Sequence, residues 1–273
     1  MKAPKLSYHR AANLGEALAA LDSGNARVLA GGQSLILQLN QRLVSVQRLI
    51  DICQIGELQC INETDSMISI GAAVTTSMIE DGTISGPTGA FLQHVAGQIG
   101  YRGVRNRGTL VGGVAFADPA ADWPTAFTAL NALVVIASVE GTREIPIRDL
   151  YAAPFQTSLA SHELITAIKV PRLSAKARWS YWKFSPTIGE VTKAIAVVLQ
   201  DGETHRITLG AGTKMPCGVR NFEQRWAQEG EAFLADLNLA ECRNVIAELG
   251  AARDDYHEQC LAVAVQRALS GLK

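Results

Sequence analysis

The sequence predicts an α+β protein built from three successive units, 1–55, 56–172 and 173–273. Two changes of pattern, near residue 55 and near residue 172, carry that reading. The first fifty residues run helix, strand, glycine loop and strand, a small α/β arrangement. From about residue 57 short alternating strands take over, with strands and helices segregated rather than interleaved. The last hundred residues open with two strands around a hairpin signal and close in helices, after the charged linker 172–178.

Within the first unit, Asn13 with Glu16 three residues on resembles a capping box, and Leu14, Ala17, Leu18 and Leu21 then share a face until Gly24. Arg27–Ala30 is predicted as a strand running into Gly31-Gly32-Gln33-Ser34. A short apolar segment, 35–43, and a strand, 49–52, follow. In the second unit, residues 67–70 alternate as a strand, and Phe91, Val95 and Ile99 share a face of a helix over 88–99. A long glycine-rich loop is expected over 101–122, then a helix from Pro124, a strand at 133–137, a turn at Gly141 and a strand at 164–168. In the third, strands are expected at 179–184, 193–200 and 205–209. Asp201-Gly202 signals a type I′ hairpin, and helices run from about Asn221.

The 273 residues carry 25 Lys and Arg against 26 Asp and Glu, with 48% apolar and 19% charged residues. Such a chain has a core to build, and its balance gives no electrostatic reason to expect nucleic acid or an anionic membrane surface. The start is basic but lacks an apolar h-region, and the uncharged stretch 123–139 holds Pro124 and Asn131 and is too short for a bilayer span. A cytoplasmic location without membrane insertion is expected. The five cysteines are odd in number and form no C-x-x-C, so they are expected to be reduced and mostly core thiols.

No G-x-S-x-G, H-E-x-x-H or G-x-x-x-x-G-K-[ST] is present, and the five histidines are too scattered to suggest a metal cluster. No catalytic or metal-ligating residue is therefore assigned. Gly210-Ala211-Gly212 is half of a dinucleotide fingerprint, with Met215-Pro216 where a helix should begin, and reads as a strand-end turn. Two other glycine loops point to an anion. In Ala30-Gly31-Gly32-Gln33-Ser34 several consecutive N–H groups can turn toward one phosphate group and let it approach closely. Arg105 to Gly113 offers the same approach plus the Thr109 hydroxyl, and Asp118-Pro119-Ala120-Ala121-Asp122 follows with carboxylates suited to ribose hydroxyls. Each loop alone is an ordinary paired-glycine turn; the two in this order are a stronger signal for a diphosphate.

The residues Val28 to Leu35, Arg42-Leu43, Leu49 to Ile52, Ile70-Gly71-Ala72, Thr75-Thr76 and Ile99 to Asp122 resemble the FAD-binding medium subunit of the molybdenum hydroxylases. That family includes carbon monoxide dehydrogenases, N-heterocycle dehydrogenases and the flavin domain of xanthine dehydrogenase. The likeness extends through Glu163 to Pro171, Tyr181-Trp182-Lys183, Ile188-Gly189-Glu190 and Tyr256 to Leu269.

The resemblance implies a two-subdomain FAD-binding fold of the vanillyl-alcohol-oxidase (PCMH) type plus a C-terminal antiparallel-sheet and helix domain, with the flavin between them. It assigns cofactor contacts to Leu29, Ala30, Gly31, Gly32, Gln33, Ser34, Leu35, Thr75, Ile99, Thr109, Gly112, Gly113, Asp122, Ile165 and Lys183. Ala30 to Ser34 hold the diphosphate on one side, and Thr109, Gly112 and Gly113 on the other. Asp122 matches the ribose-binding acid, Ile165 the apolar residue packed on the isoalloxazine, and Lys183 the lysine near the ring. The implied partners are a large subunit with a molybdopterin-type molybdenum cofactor and a small subunit with two [2Fe–2S] clusters, in a heterotrimer or a dimer of heterotrimers. Electrons then pass from the clusters through FAD to an external acceptor.

Two departures stand out. Val111 occupies the place of the family's first glycine and Gly113 that of its Asn or Ser, and Ser185-Pro186-Thr187 replaces a basic stretch after the lysine. The alternatives are a self-sufficient flavin oxidoreductase of the same fold, or a module binding a different phosphorylated ligand.

Overall fold

The computed structural model describes residues 3–187 and 189–272. The first unit comprises β1 (Ser7–Arg10), α1 (Leu14–Asp22), β2 (Ala26–Leu29), α2 (Leu35–Gln41) and β3 (Arg48–Asp51). The strands form a parallel sheet in the order β1-β3-β2. α1 starts as its sequence dictates: the Asn13 side chain accepts from Glu16 N, and the Glu16 carboxylate reaches back to Ala12 N. β1, which the sequence reading left unassigned, pairs with β3 from Ser7↔Arg48 to Arg10↔Asp51.

The second unit runs β4 (Ile61–Glu63), β5 (Met67–Gly71), α3 (Thr76–Glu80), α4 (Gly86–Gly97), α5 (Arg102–Arg105), α6 (Leu110–Phe116), α7 (Asp122–Ala129), β6 (Leu133–Ser138), β7 (Gly141–Pro146), α8 (Ile147–Leu150), β8 (Tyr151–Ala153), β9 (Gln156–Thr157) and β10 (Leu164–Pro171). Its five-stranded antiparallel sheet has the order β4-β5-β10-β6-β7. The long glycine loop expected over 101–122 is instead broken by α5 and α6. The Thr109 side chain caps the N-terminus of α6 by accepting from Gly112 N at 3.0 Å, a local bond that paired glycines conceal. The helix placed at 88–99 begins at Gly86 and ends at Gly97, leaving Ile99 outside it and only half-buried.

The third unit holds β11 (Arg178–Phe184), β12 (Ala194–Asp201), β13 (Thr204–Gly210), β14 (Cys217–Gly218), α9 (Arg220–Glu229), α10 (Glu231–Asp236), α11 (Leu239–Leu249) and α12 (Asp255–Ser270). The strands form an antiparallel sheet in that order. The hairpin at 201–204 exists, but its central pair is Gly202-Glu203 and only Gly202 has a positive φ, +57°. A type I′ turn needs two such residues, so the turn is of the II′ kind, with glycine first.

β12 is buried on both faces. Ile195, Val197 and Leu199 join the core shared by the first two units, while Ala194, Ala196 and Val198 face the C-terminal helices. Period-two alternation thus makes one strand the common wall of two cores. The seam is tight where β13 meets α7: a Cβ on Gly210 would stand 2.0 Å from Oγ1 of fully buried Thr125. Gly210→Ala is expected to cost about 2 kcal/mol as overpacking, and Thr125→Ala in the same chain is expected to recover most of it. Denaturant midpoints of the two singles and the double check this; equal losses in Gly210→Ala and the double would show the seam is not the cause.

Residues 172–178, expected as a linker, are stapled rather than free. Arg172 Nε donates to Thr64 O at 2.6 Å, and Leu173 N donates to Thr88 Oγ1 at 2.7 Å. Of the five cysteines, all free, only Cys242 is buried and Cys60 is exposed, so the expectation of mostly core thiols does not hold. Among the described residues no helix is long and apolar enough to cross a membrane, and no group of His, Cys, Asp and Glu could hold a metal ion.

Candidate functional site

The two glycine loops meet. β2 ends at Leu29, whose carbonyl accepts from Ile52 N at 3.1 Å, and the chain turns through Gly32 (φ +74°) into α2. A positive φ at Gly32 is what lets the turn close without a side-chain clash. Among the described residues no acceptor is engaged by the backbone N–H groups of Gly31, Gly32, Gln33, Ser34 or Leu35. Such a run of unpaired donors is the composition of an anion-binding concavity.

The second loop is brought alongside by β-type pairing. Thr75 bridges Thr109, with Thr76 N donating to Gly108 O at 2.8 Å and Leu110 N to Val74 O at 3.3 Å. Arg105 braces the approach, donating to the carbonyls of Ile99 and Gly100 at 2.9 and 2.8 Å and pairing with Glu80 at 2.7 Å. At the contact, a Cβ on Gly31 would lie 1.9 Å from Arg107 O, and one on Gly112 would lie 3.9 Å from Ala30 Cβ. Backbone therefore touches backbone, which only glycine permits at residue 31. The sequence reading missed that the partner of Gly31 is Arg107-Gly108, because no spacing rule links positions so far apart.

The departures from the family pattern have a local reason. Val111 points into the core at 3% exposure. A Cβ on Gly113 would approach Trp123 Cδ1 to 3.2 Å, so the indole takes the space beside that position. Trp123 Nε1 in turn donates to Thr76 Oγ1 at 3.3 Å.

Asp122 lies at the start of α7 and is 7% exposed. Lys183 Nζ donates to its two oxygens at 2.8 and 3.0 Å and to Gln98 O at 3.0 Å, and the Tyr181 hydroxyl donates to Asp122 Oδ1. The structure thus couples two residues that the sequence reading placed separately, one at a ribose and one at a ring. Tyr181 was overlooked as a site residue, although its place two positions before Lys183 on a strand puts both on one face. Burial, and then the negative charge of Asp122, raises the Tyr181 pKa well above the phenol value, so the hydroxyl remains a donor. Nearby Asp118 is also pushed up, by burial first and by Asp122 in addition.

Ile165 is 3% exposed within the core of the five-stranded sheet. A bulge between Ile165 and Ala167 interrupts its pairing with β6. Ile188 lies outside the described residues, while Gly189 packs on the Tyr101 ring, a Cβ there falling 2.8 Å from Cε2.

A run of N–H groups without an acceptor among the described residues, on a loop in backbone contact with a second glycine loop, has the donor chemistry that a phosphate group takes. The mixed fold that carries it has a PCMH-type FAD-binding domain. Residues 4–173 match the family described as the FAD binding domain in molybdopterin dehydrogenase, and the chain belongs to that family of oxidoreductase subunits. It is 36% identical over 216 residues to the glyceraldehyde dehydrogenase medium chain of Sulfolobus acidocaldarius, covering 78% of this chain and 76% of that one. It is 30% identical to the carbon monoxide dehydrogenase medium chain of Hydrogenophaga pseudoflava, covering 98% and 96%. Among solved structures, the carbon monoxide dehydrogenase of Hydrogenophaga pseudoflava lacking the Mo-pyranopterin moiety superimposes with a TM-score of 0.88 at 27% identity, over 100% of this chain and 98% of that one. These relatives are named as chains of multi-subunit enzymes.

Proposed function

We propose that this chain is the electron-transfer subunit of a molybdenum hydroxylase, with the diphosphate of FAD held between the loop 30–35 and the loop 107–113. The observation that carries this is the set of five N–H groups at Gly31 to Leu35 without an acceptor among the described residues, on a loop whose Gly31 touches the Arg107-Gly108 backbone. In this reading the first loop supplies donors and the second closes the other side through its glycine backbone. Asp122 keeps acceptor capacity for a ribose hydroxyl beyond its bonds to Lys183 and Tyr181, because a carboxylate has about four lone-pair sites. Lys183 neutralises it and orients it. The bridge between Thr75 and Thr109 holds the second loop against residues 74–76, and the carbonyls of Ile99 and Gly100 are pinned by Arg105.

FAD, when bound, supplies the interchange between one-electron donors and an external acceptor. The donors in this reading are two [2Fe–2S] clusters of a small partner subunit, fed by a large molybdopterin subunit that hydroxylates the substrate, the three chains forming a heterotrimer. We place the assembly in the cytoplasm, in keeping with five free cysteines.

The test is the visible spectrum of the purified chain, followed by acid release and identification of the chromophore. A flavin spectrum and released FAD are expected; a folded, colourless chain that does not take up added FAD would overturn the reading. Asp122→Ala is expected to weaken FAD binding by about tenfold through one lost hydrogen bond of about 1 kcal/mol or slightly more. An unchanged affinity in a fluorescence titration would remove Asp122 from the site.

A further inference from the structure

A cleft of about 330 Å³ opens where α8 and the end of α7 meet β13, β14 and the start of α9, and it shares no residue with the flavin loops. That volume is at the lower end of the roughly 300–1,000 Å³ typical of small-molecule clefts. Three guanidinium groups line it, those of Arg148, Arg206 and Arg220, against a single carboxylate, Glu223.

The arginines are uncommitted. Arg206 is partly buried, donates through Nη1 to Ala129 O at 2.9 Å, and makes no ion pair among the described residues. Burial pushes its pKa down, and Glu223 and Asp201 act on it only at a distance. Arg220 makes neither a hydrogen bond nor an ion pair among the described residues, and Arg148 reaches only its exposed neighbour Asp149, at 3.7 Å. Glu223 spends its Oε1 on Ile207 N at 2.9 Å, and burial raises its pKa despite the pull of both arginines. The cleft also has neutral donors: the Thr208 hydroxyl and the Asn131 side-chain amide form no hydrogen bond among the described residues.

A partly desolvated guanidinium with one carbonyl for a partner is costly, and proteins ordinarily answer such a charge with an anion. The planar fork of arginine matches a phosphoryl group through paired N–H bonds. We propose that this cleft binds a phosphorylated small molecule, with its phosphoryl group held between Arg206 and Arg220 and its hydroxyl-bearing part toward the Asn131 amide and the Thr208 hydroxyl.

The test is calorimetric titration of the full-length, FAD-loaded protein with glycerol 3-phosphate, inorganic phosphate and sulfate. Saturable binding of glycerol 3-phosphate in the submillimolar range is expected, tighter than that of either inorganic ion. Arg206→Met and, separately, Arg220→Met are each expected to weaken it at least about tenfold, the scale of one charge-assisted contact. Arg220 is exposed, so its variant reports even if Arg206→Met does not fold. Glu223→Gln keeps the acceptor for Ile207 N and removes one negative charge, and is expected to tighten binding severalfold. The proposal fails if no saturable binding is seen, if sulfate binds as well as glycerol 3-phosphate, or if the arginine variants bind normally. It also fails if binding is absent from the FAD-loaded protein and appears only when FAD is removed, since the phosphate would then sit in the flavin loops.

Discussion

Lys183→Met is expected to lower the thermal midpoint by roughly 6–12 °C, the consequence of about 3 kcal/mol lost at about 2–4 °C per kcal/mol for a chain of this size. The lysine is the only cation within ion-pair distance of Asp122 among the described residues, and the carboxylate's side chain is 8% exposed. Removing it leaves a desolvated negative charge with one remaining side-chain donor, the Tyr181 hydroxyl. Breaking such a pair costs about 3–5 kcal/mol when burial is complete, and the 15% exposure of the Lys183 side chain places this one at the lower end. The pair also spans the seam, since Lys183 comes from β11 while Asp122 and Gln98 belong to the second unit. Differential scanning calorimetry of Lys183→Met, Asp122→Asn and the double variant separates the terms. If the charge left behind is the cause, the double is more stable than Lys183→Met alone. A midpoint unchanged by Lys183→Met would mean that water answers the carboxylate and that the pair does not hold the seam.

Gly31→Ala has the larger effect on flavin binding. The added methyl would lie 1.9 Å from Arg107 O, 2.6 Å from Arg107 C and 2.7 Å from Gly108 Cα, all backbone atoms that cannot rotate aside. The loops must part, at a stability cost of about 1–3 kcal/mol. The fold is expected to survive, because Gly31 itself belongs to neither principal core. Parting the loops misaligns two or more charge-assisted N–H bonds to the diphosphate, worth about 1.5 kcal/mol each, so FAD affinity is expected to fall at least about 100-fold. Gly32→Ala is the informative contrast. It is strained by its φ of +74°, at about 1–2 kcal/mol, but its methyl meets only the movable ends of Ile36 and Leu29 at 3.2 and 3.4 Å. A smaller affinity loss is expected there. If Gly31→Ala binds FAD as tightly as the unaltered chain does, the diphosphate does not lie between these loops.

Much of this molecule follows from local sequence. The capping box at Asn13, the continuous apolar run Ala194 to Leu199 of β12 and the glycine turn after β2 are all properties of neighbouring residues, governed by hydrogen bonds and patterns within a few positions. The two glycine loops were legible for the same reason, as was the absence of any nucleophile or metal motif. What the local pattern conceals is which distant groups share a space. Paired glycines in 101–122 read as a loop until the Thr109 cap and the pairing of Val74–Thr76 with Gly108–Leu110 turn part of it into helix. Gly113 is explained by Trp123, Gly31 by Arg107, and Asp122 by a lysine and a tyrosine some sixty residues away. Sequence by itself determined the elements and the chemistry available to them, because propensity and periodicity act over a few residues. Only the tertiary structure decided which charges are paired, which N–H groups are left without an acceptor and which backbones touch, because those outcomes depend on long-range packing that excludes water from one group and leaves it to another.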